Sequence, residues 1–287
     1  MTKKTRTPEP AAAAPAMPAF GTIDVADRNG VALVTLNRPE RHNAFDETMI
    51  AELTQALAVI GSSPRIRAMV LLGAGESFCA GADLAWMERM AGFSYEENVA
   101  DARALAHLLQ ALAALPKPTI ARVHGPAYGG GVGLIACCDI AVAAMESTFA
   151  LTEAKLGLIP STIGPYVMEA IGARAARRYF LTCERFDAAE AYRIGLVHDL
   201  VPSLEALDER VNELLGQLML AGPHAQAAAK ALTRAVAHRP IDERVVADTA
   251  ERIAAIRATD EAREGIAAFL TRRSPAWVPE GLRRKRK

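Results

Sequence analysis

The chain has 287 residues, enough for one large domain, or one domain with an appendage, around a sizeable core. Half of it (51%) is hydrophobic but only 5% is aromatic, the profile of a helix-rich globular protein. Its 33 lysines and arginines balance 33 aspartates and glutamates, which excludes a global field drawing it to nucleic acid, and no apolar run is long enough to span a membrane.

The first 19 residues, with Ala11 to Ala14 between prolines, read as a flexible tail. From Gly21 to Leu36 two alternating segments flank Asn29-Gly30, which predicts a β-hairpin. A polar loop, Asn37 to Ala44, precedes a helical face marked by Met49, Ile50, Leu53, Leu57 and Ile60. Ala68 to Leu72, short, apolar and bounded by Gly73 and Gly75, fits a buried strand. The small-residue loop Gly75 to Leu84 then feeds a helix. Ser94 and Glu97 form a capping-box pattern for a long helix through Val99, Leu105, Leu108, Leu109 and Leu112, closed by Pro116 and Pro118.

Thr119 to Val123 reads as a strand, and Gly129-Gly130-Gly131 opens a short apolar helix just behind it. Unpaired N–H groups at a helix start, the positive end of its dipole and the close approach that glycine allows outline an anion site; a plain tight turn is the other reading. Ile140 to Ala144 is another strand, and the strand–helix alternation predicts an α/β core with crossover connections. Helices take over from Pro165. Leu204, Leu207, Val211, Leu214 and Leu218 mark one that Gly222-Pro223 ends, and Ala225 to Ala237, Glu243 to Arg257 and Asp260 to Leu270 mark three more. Cys79, Cys137, Cys138 and Cys183 show neither a CxxC pair nor metal-ligand spacing, so reduced core thiols of a cytoplasmic protein and no metal site are expected. The terminal Arg283 to Lys287 run reads as a solvated basic end, with nucleic-acid contact as the disfavoured alternative.

Four separated motifs follow in order: Asn37-Arg38-Pro39 with Asn43-Ala44; Ser77-Phe78-Cys79-Ala80-Gly81-Ala82-Asp83-Leu84; His124-Gly125 with Gly129-Gly130-Gly131; and Glu153 with Leu156-Gly157-Leu158-Ile159-Pro160. Together they resemble the enoyl-CoA hydratase/isomerase (crotonase) superfamily, from about Gly21 to Trp277. The resemblance implies an α/β fold of the ClpP/crotonase type: a tail over residues 1–19, a spiral core of ββα turns over 20–202, a C-terminal α-helical oligomerisation region over 203–277 and a basic disordered tail over 278–287. It implies an acyl-CoA thioester substrate, coenzyme A entering as part of that substrate with no separate cofactor, and a homo-trimer or homo-hexamer. The N–H groups of Ala82 and Gly130 would form the oxyanion hole, donors aimed at an oxygen that gains charge as an enolate develops. Glu153 would be the catalytic acid/base, although an isolated Glu is ordinarily an exposed loop residue.

The resemblance further implies substrate and CoA contacts at Ala80, Asp83 and Leu84 around the oxyanion loop. Backbone at Arg41 and His42 would lie beside the adenine and phosphates, and Tyr128 would line the acyl pocket or pack on the next strand. Arg272 would reach a neighbouring subunit's CoA phosphates or simply face solvent. Family hydratases carry a second glutamate where this chain has Gly133, so a two-carboxylate mechanism is not expected. One carboxylate can take a proton from water and pass it to Cα, which predicts syn hydration by Glu153 alone.

Tyr128-Gly129-Gly130-Gly131-Val132-Gly133-Leu134, Pro165-Tyr166-Val167 and Ala176-Arg177-Arg178-Tyr179-Phe180-Leu181-Thr182 are similar to bacterial methylglutaconyl-CoA hydratases of leucine breakdown. The expected reaction is 3-methylglutaconyl-CoA to 3-hydroxy-3-methylglutaryl-CoA. A glycine at 133 would open room beside the reacting carbons and remove a charge that repels a distal carboxylate, for which Tyr128, Ser161, Thr162 and Lys155 are candidate partners. Rivals are an isohexenylglutaconyl-CoA or general short-chain enoyl-CoA hydratase, an enoyl-CoA isomerase and, outside enzymes, RNA binding through the basic tail. A dinucleotide-binding turn at Gly129 to Gly133 is disfavoured, since its spacing does not match G-x-G-x-x-G.

Overall fold

The computed structural model describes residues 18–283; the expected N-terminal tail up to residue 17 and the part of the expected disordered end (278–287) beyond Arg283 lie outside the described residues, whereas the first part of that end is ordered, with Val278 buried and a 3-10 turn over Glu280–Leu282. The predicted hairpin is present: β1 (Ile23–Arg28) and β2 (Val31–Leu36) pair antiparallel from Ile23 opposite Leu36 to Arg28 opposite Val31. Asn29 and Gly30 hold positive φ (55° and 84°), the turn whose twist matches that of the strands.

Helix α1 (Glu47–Ser62) starts on Asp46, whose carboxylate accepts from Met49 N, and buries the expected Met49, Ile50, Leu53, Leu57 and Ile60. After β3 (Ala68–Gly73) come α2 (Leu84–Met90) and α3 (Tyr95–Ala114), the latter opened by the Ser94–Glu97 capping box. The chain then alternates between two sheets: β4 (Thr119–Val123) joins the first and β5 (Pro126–Tyr128) the second, α4 (Gly130–Cys137) crosses over, and β6 (Ile140–Ala144) and β7 (Thr148–Ala150) repeat the pattern. Then follow α5 (Gly164–Thr182), β8 (Phe186–Asp187), α6 (Ala188–Ile194) and β9 (Asp199–Val201). The large sheet runs β1-β2-β3-β4-β6-β9, parallel from β2 onward, and the small one runs β5-β7-β8. This is the ββα spiral. Parallel neighbours require crossovers, and α1, α3, α4 and, between β6 and β9, α5 with α6 lie in those crossovers.

One face of the large sheet packs on these helices around Leu36, Met69, Leu71, Ala121 and Val123. The other face is covered by α7 (Leu204–Leu220), which seats Leu207, Val211 and Met219 on Val31, Val70, Ile120 and Val142. Helix α7 ends at Leu220, just before Gly222-Pro223 as expected, and Pro223 also opens the first turn of α8 (Pro223–Val236), where its missing N–H leaves no bond unmade. Helices α9 (Glu243–Arg257) and α10 (Asp260–Leu270) follow, and α8 to α10 bury little: none, Val245 and Ala268 respectively. They leave Ile253, Ile266, Phe269 and Leu270 exposed.

Candidate active site

Two loops meet at the start of α4. The segment Cys79 to Asp83 is stitched on one side to β5, Cys79 N donating to Pro126 O (3.2 Å) and Tyr128 N to Cys79 O (2.9 Å). On its other side Phe45 N donates to Gly81 O (2.8 Å) and Asp83 N to Phe45 O (3.0 Å). In a trans peptide the N–H and C=O point in opposite directions. The Gly81 carbonyl faces Phe45, so the Ala82 N–H of the same peptide faces away from it. The Gly129 carbonyl likewise turns into α4, accepting from Val132 N (3.0 Å) and Gly133 N (3.3 Å), so the Gly130 N–H points out of the helix start. Neither N–H has a protein acceptor among the described residues. Gly129 reaches this geometry at φ 48°, ψ −118°, outside the ordinary range of L-residues, and a Cβ on Gly130 would run into the Phe45 ring.

Both peptides line a cavity of about 470 Å³, and Glu153 lines it too. Glu153 heads a 3-10 turn, Glu153–Leu156, closed by Gly157 at φ 71°. A Cβ on Gly129 would lie 3.2 Å from its Oε1, which places the carboxylate against the glycine loop. Its Oε2 is buried with no hydrogen-bond partner among the described residues. Burial pushes this carboxyl above the usual glutamate range, opposed only by a hydrogen bond from its own backbone. Trp86, Met87, Met90, Leu105 and the stretch from Leu156 to Ile163 supply the rest of a largely apolar wall.

Gly133 corrects the expected vacancy. It is buried in α4, and a Cβ built there would overlap the Ile163 γ-methyl and lie 2.8 Å from Ile163 Cβ. Ile163 is itself buried, at 2% exposure, and lines the cavity. The space that a side chain at 133 would take is therefore filled by an aliphatic group from the start of α5, and the glycine leaves no vacancy there.

The other residues singled out in the sequence scatter. Ala80 lies in the cavity wall. Asp83 is buried with both carboxylate oxygens engaged by the protein: Oδ1 accepts from Ala85 N (2.9 Å) and Trp86 N (3.2 Å), and Oδ2 from Arg38 (3.0 Å). Leu84 starts α2 and is 76% exposed. Arg41 and His42 are exposed beside the loop, the His42 carbonyl accepting from Ala80 N at 2.9 Å and its Nδ1 lying 3.0 Å from Ser77 Oγ. The Tyr128 hydroxyl pairs with Thr148 Oγ1 (3.2 Å) and its ring lies under Arg185, outside the cavity lining. Arg272 lines a separate cavity beyond α10. All four cysteines are buried and free, and burial pushes the Cys79 thiol up to about 12, which leaves it unreactive beside the loop.

The sequence reading missed Trp86 and Asp101. Trp86 Nε1 donates to Asp101 Oδ1 at 3.1 Å, and both line the cavity. Burial, and secondarily the negative charge of Glu47, push the Asp101 carboxyl up against the lowering effect of the Trp86 bond. A signal was present: Asp101 stands four residues before Leu105 in the same helical register as Leu108 and Leu112, an acid on an apolar stripe.

A spiral ββα core thus brings two outward peptide N–H groups and a carboxylate with one buried, unpaired oxygen to one cavity. The chain belongs to the enoyl-CoA hydratase/isomerase family, whose model matches residues 26–280. An enoyl-CoA hydratase from Shewanella pealeana has a similar crystal structure, with TM-score 0.87 and 43% identity, covering 90% of this chain and 96% of that one. Pseudomonas aeruginosa AtuE superposes with TM-score 0.86 at 37% identity over 90% of this chain and 100% of its own. The crotonyl-CoA hydratase of Syntrophomonas wolfei is 30% identical over 91% of this chain and 99% of that protein.

Proposed function

We propose that the protein adds water syn across the α,β double bond of an enoyl-CoA thioester, with Glu153 as its single acid/base. The observation that carries this reading is the Glu153 carboxylate, its Oε2 buried without a hydrogen-bond partner among the described residues, in the same cavity wall as the Ala82 and Gly130 peptides. The thioester oxygen accepts from the two N–H groups. Ionised Glu153 takes a proton from water as the water oxygen bonds to Cβ, and the π electrons pass through Cα onto the thioester oxygen, where preoriented donors stabilise the enolate. The carboxylic acid so formed returns its proton to Cα on the same face, the electrons flow back from oxygen, and Glu153 is ionised again. Coenzyme A enters with the substrate and no further cofactor takes part. The hydratase names of the relatives support water addition over double-bond migration, which the same carboxylate could also serve. Glu153→Gln tests this: CoA binding should persist while kcat falls by about 10² or more, the range for a positioned acid/base. Unchanged turnover would move the proton chemistry elsewhere.

The narrower proposal is 3-methylglutaconyl-CoA as substrate, supported by the three stretches similar to methylglutaconyl-CoA hydratases. Ser161 and Thr162 line the cavity and offer hydroxyls to a distal carboxylate, whereas Lys155 and Tyr128 lie outside the lining. A second reading, an uncharged acyl chain, is favoured by the wall itself: among the described residues it holds no Lys, Arg or His, and Asp101 adds a second acid to Glu153. The ratio of kcat/KM for 3-methylglutaconyl-CoA and crotonyl-CoA separates them, a tenfold preference corresponding to about 1.4 kcal/mol. The exposed apolar residues of α9 and α10 support action as a trimer or hexamer.

A further inference from the structure

We infer that Arg38 is a positioning residue for the oxyanion hole, acting with Asp83 to fix the direction of the Ala82 N–H. This rests on the proposed role of that N–H as a donor to the thioester oxygen.

The peptide carrying the Ala82 N–H has one tether to the neighbouring segment, Phe45 N to Gly81 O, and the next peptide has the other, Asp83 N to Phe45 O. Phe45 and Ala82 thus form an isolated parallel bridge, to which Ala80 N donating to the His42 carbonyl (2.9 Å) adds one more backbone bond between the two segments. Arg38 staples that bridge from outside. On the Phe45 side its guanidinium donates to the carbonyl of Ala44 (2.7 Å) and pairs with the Asp46 carboxylate (3.0 Å), the two residues flanking Phe45. On the Ala82 side it pairs with Asp83 at 3.0 Å, the residue next to Ala82. Its planar fork places fixed donors on two separate nitrogens, Nη1 toward Ala44 and Asp46 and Nη2 toward Asp83, a spread that the single nitrogen of a lysine does not offer. The pair is well shielded, with side-chain exposures of 16% for Arg38 and 6% for Asp83, so solvent weakens it little.

The staple is itself built in. Arg38 N donates to Asn43 Oδ1 (2.9 Å), and Asn43 Nδ2 in turn donates to Ala74 O and Ser77 O, both at 2.8 Å. Phe45 transmits the placement to the second donor as well, because its ring occupies the space above Gly130. Rotation of the 81–82 peptide would swing its N–H off the thioester oxygen while leaving the cavity walls in place. Loss of the staple should therefore weaken charge stabilisation in the transition state more than substrate binding.

The test uses Asp83→Asn and Arg38→Lys in the full chain, with kcat, KM and the infrared carbonyl stretch of bound cinnamoyl-CoA as readouts. Asparagine caps a helix as well as aspartate does, so Asp83→Asn keeps the α2 cap while losing the ion pair. Arg38→Lys keeps the charge and loses the fork, which covers the case in which the first variant folds poorly. Removal of a whole oxyanion donor costs about 10²–10³ in kcat, so a misdirected one should cost about 10-fold to 10²-fold. The expected result is that loss in kcat, KM within about threefold, and a carbonyl stretch moved toward that of the free thioester. A purely structural role would lower the denaturation midpoint without moving the stretch of the folded fraction. Folded variants that keep the wild-type stretch and kcat would overturn the inference. A wild-type protein that leaves the stretch of bound thioester unshifted would overturn the oxyanion reading together with it.

Discussion

Placing a methyl group on Gly133 tests whether Ile163 occupies the site at which family hydratases carry a second glutamate. In an ordinary helix interior, Gly→Ala stabilises by about 0.5–1 kcal/mol. Here the new Cβ would overlap the Ile163 γ-methyl and sit 2.8 Å from Ile163 Cβ, in a region where Ile163 is only 2% exposed and has little space to yield. Overpacking of this kind costs about 1–3 kcal/mol, so Gly133→Ala should be destabilised by about 1–2 kcal/mol net. Ile163→Ala alone should lose about 2–5 kcal/mol to a cavity. The double variant should lose less than the sum, by at least about 1 kcal/mol, because removing the γ-methyl admits the one at 133. Urea denaturation gives all four values, provided the slope stays constant across the cycle. Gly133→Glu should fail to recover a second catalytic carboxylate, since its side chain must pass the same obstacle. A Gly133→Ala protein as stable as wild type, with additive effects in the cycle, would refute the packing argument and restore the vacancy.

Four further outcomes can be measured, three at the site and one at the C-terminal helices. Water activation needs ionised Glu153, whose carboxyl burial raises, so kcat/KM should fall on acidification at a pH above the ordinary glutamate value of about 4.3. By linkage, stability from the protonated form is present below the unfolded-state pKa and lost as pH rises through the folded one. Glu153→Gln should accordingly be more stable than wild type at pH 7–8, with the difference closing below about pH 4; an equal gap at both ends would contradict the burial effect. Asp101→Asn removes a negative charge from the cavity wall, and should raise kcat/KM for 3-methylglutaconyl-CoA relative to crotonyl-CoA severalfold; an unchanged ratio would take Asp101 away from the acyl chain. Light scattering should give a trimer or hexamer that Phe269→Asp, at a residue 82% exposed in the isolated chain, shifts toward monomer; a fully active wild-type monomer would remove the assembly proposal.

The local steps of this fold were legible along the chain because each is decided by neighbours in sequence. Asn29-Gly30 sets its own turn, Ser94 and Glu97 cap the helix that they begin, and the Met49 to Ile60 stripe has one helical period. The motif set also marked Glu153, Ala82 and Gly130, and the structure brings these three to one cavity. The three-residue strands β5 and β7 escaped notice, being too short to show a period; pairing with each other defines them.

What only tertiary structure decided is how distant residues share space. The sequence shows that position 133 is glycine, but whether this leaves a gap depends on Ile163, thirty positions on and brought there by the turn of α4 against α5. Asp83 was expected to contact substrate, yet Arg38 and the first turn of α2 occupy both its oxygens. Asp101 enters the cavity because Trp86, on another helix, offers its Nε1. Periodicity and capping are short-range properties and survive in one dimension, whereas steric occupancy and hydrogen-bond satisfaction are settled among groups that meet only when the chain is folded.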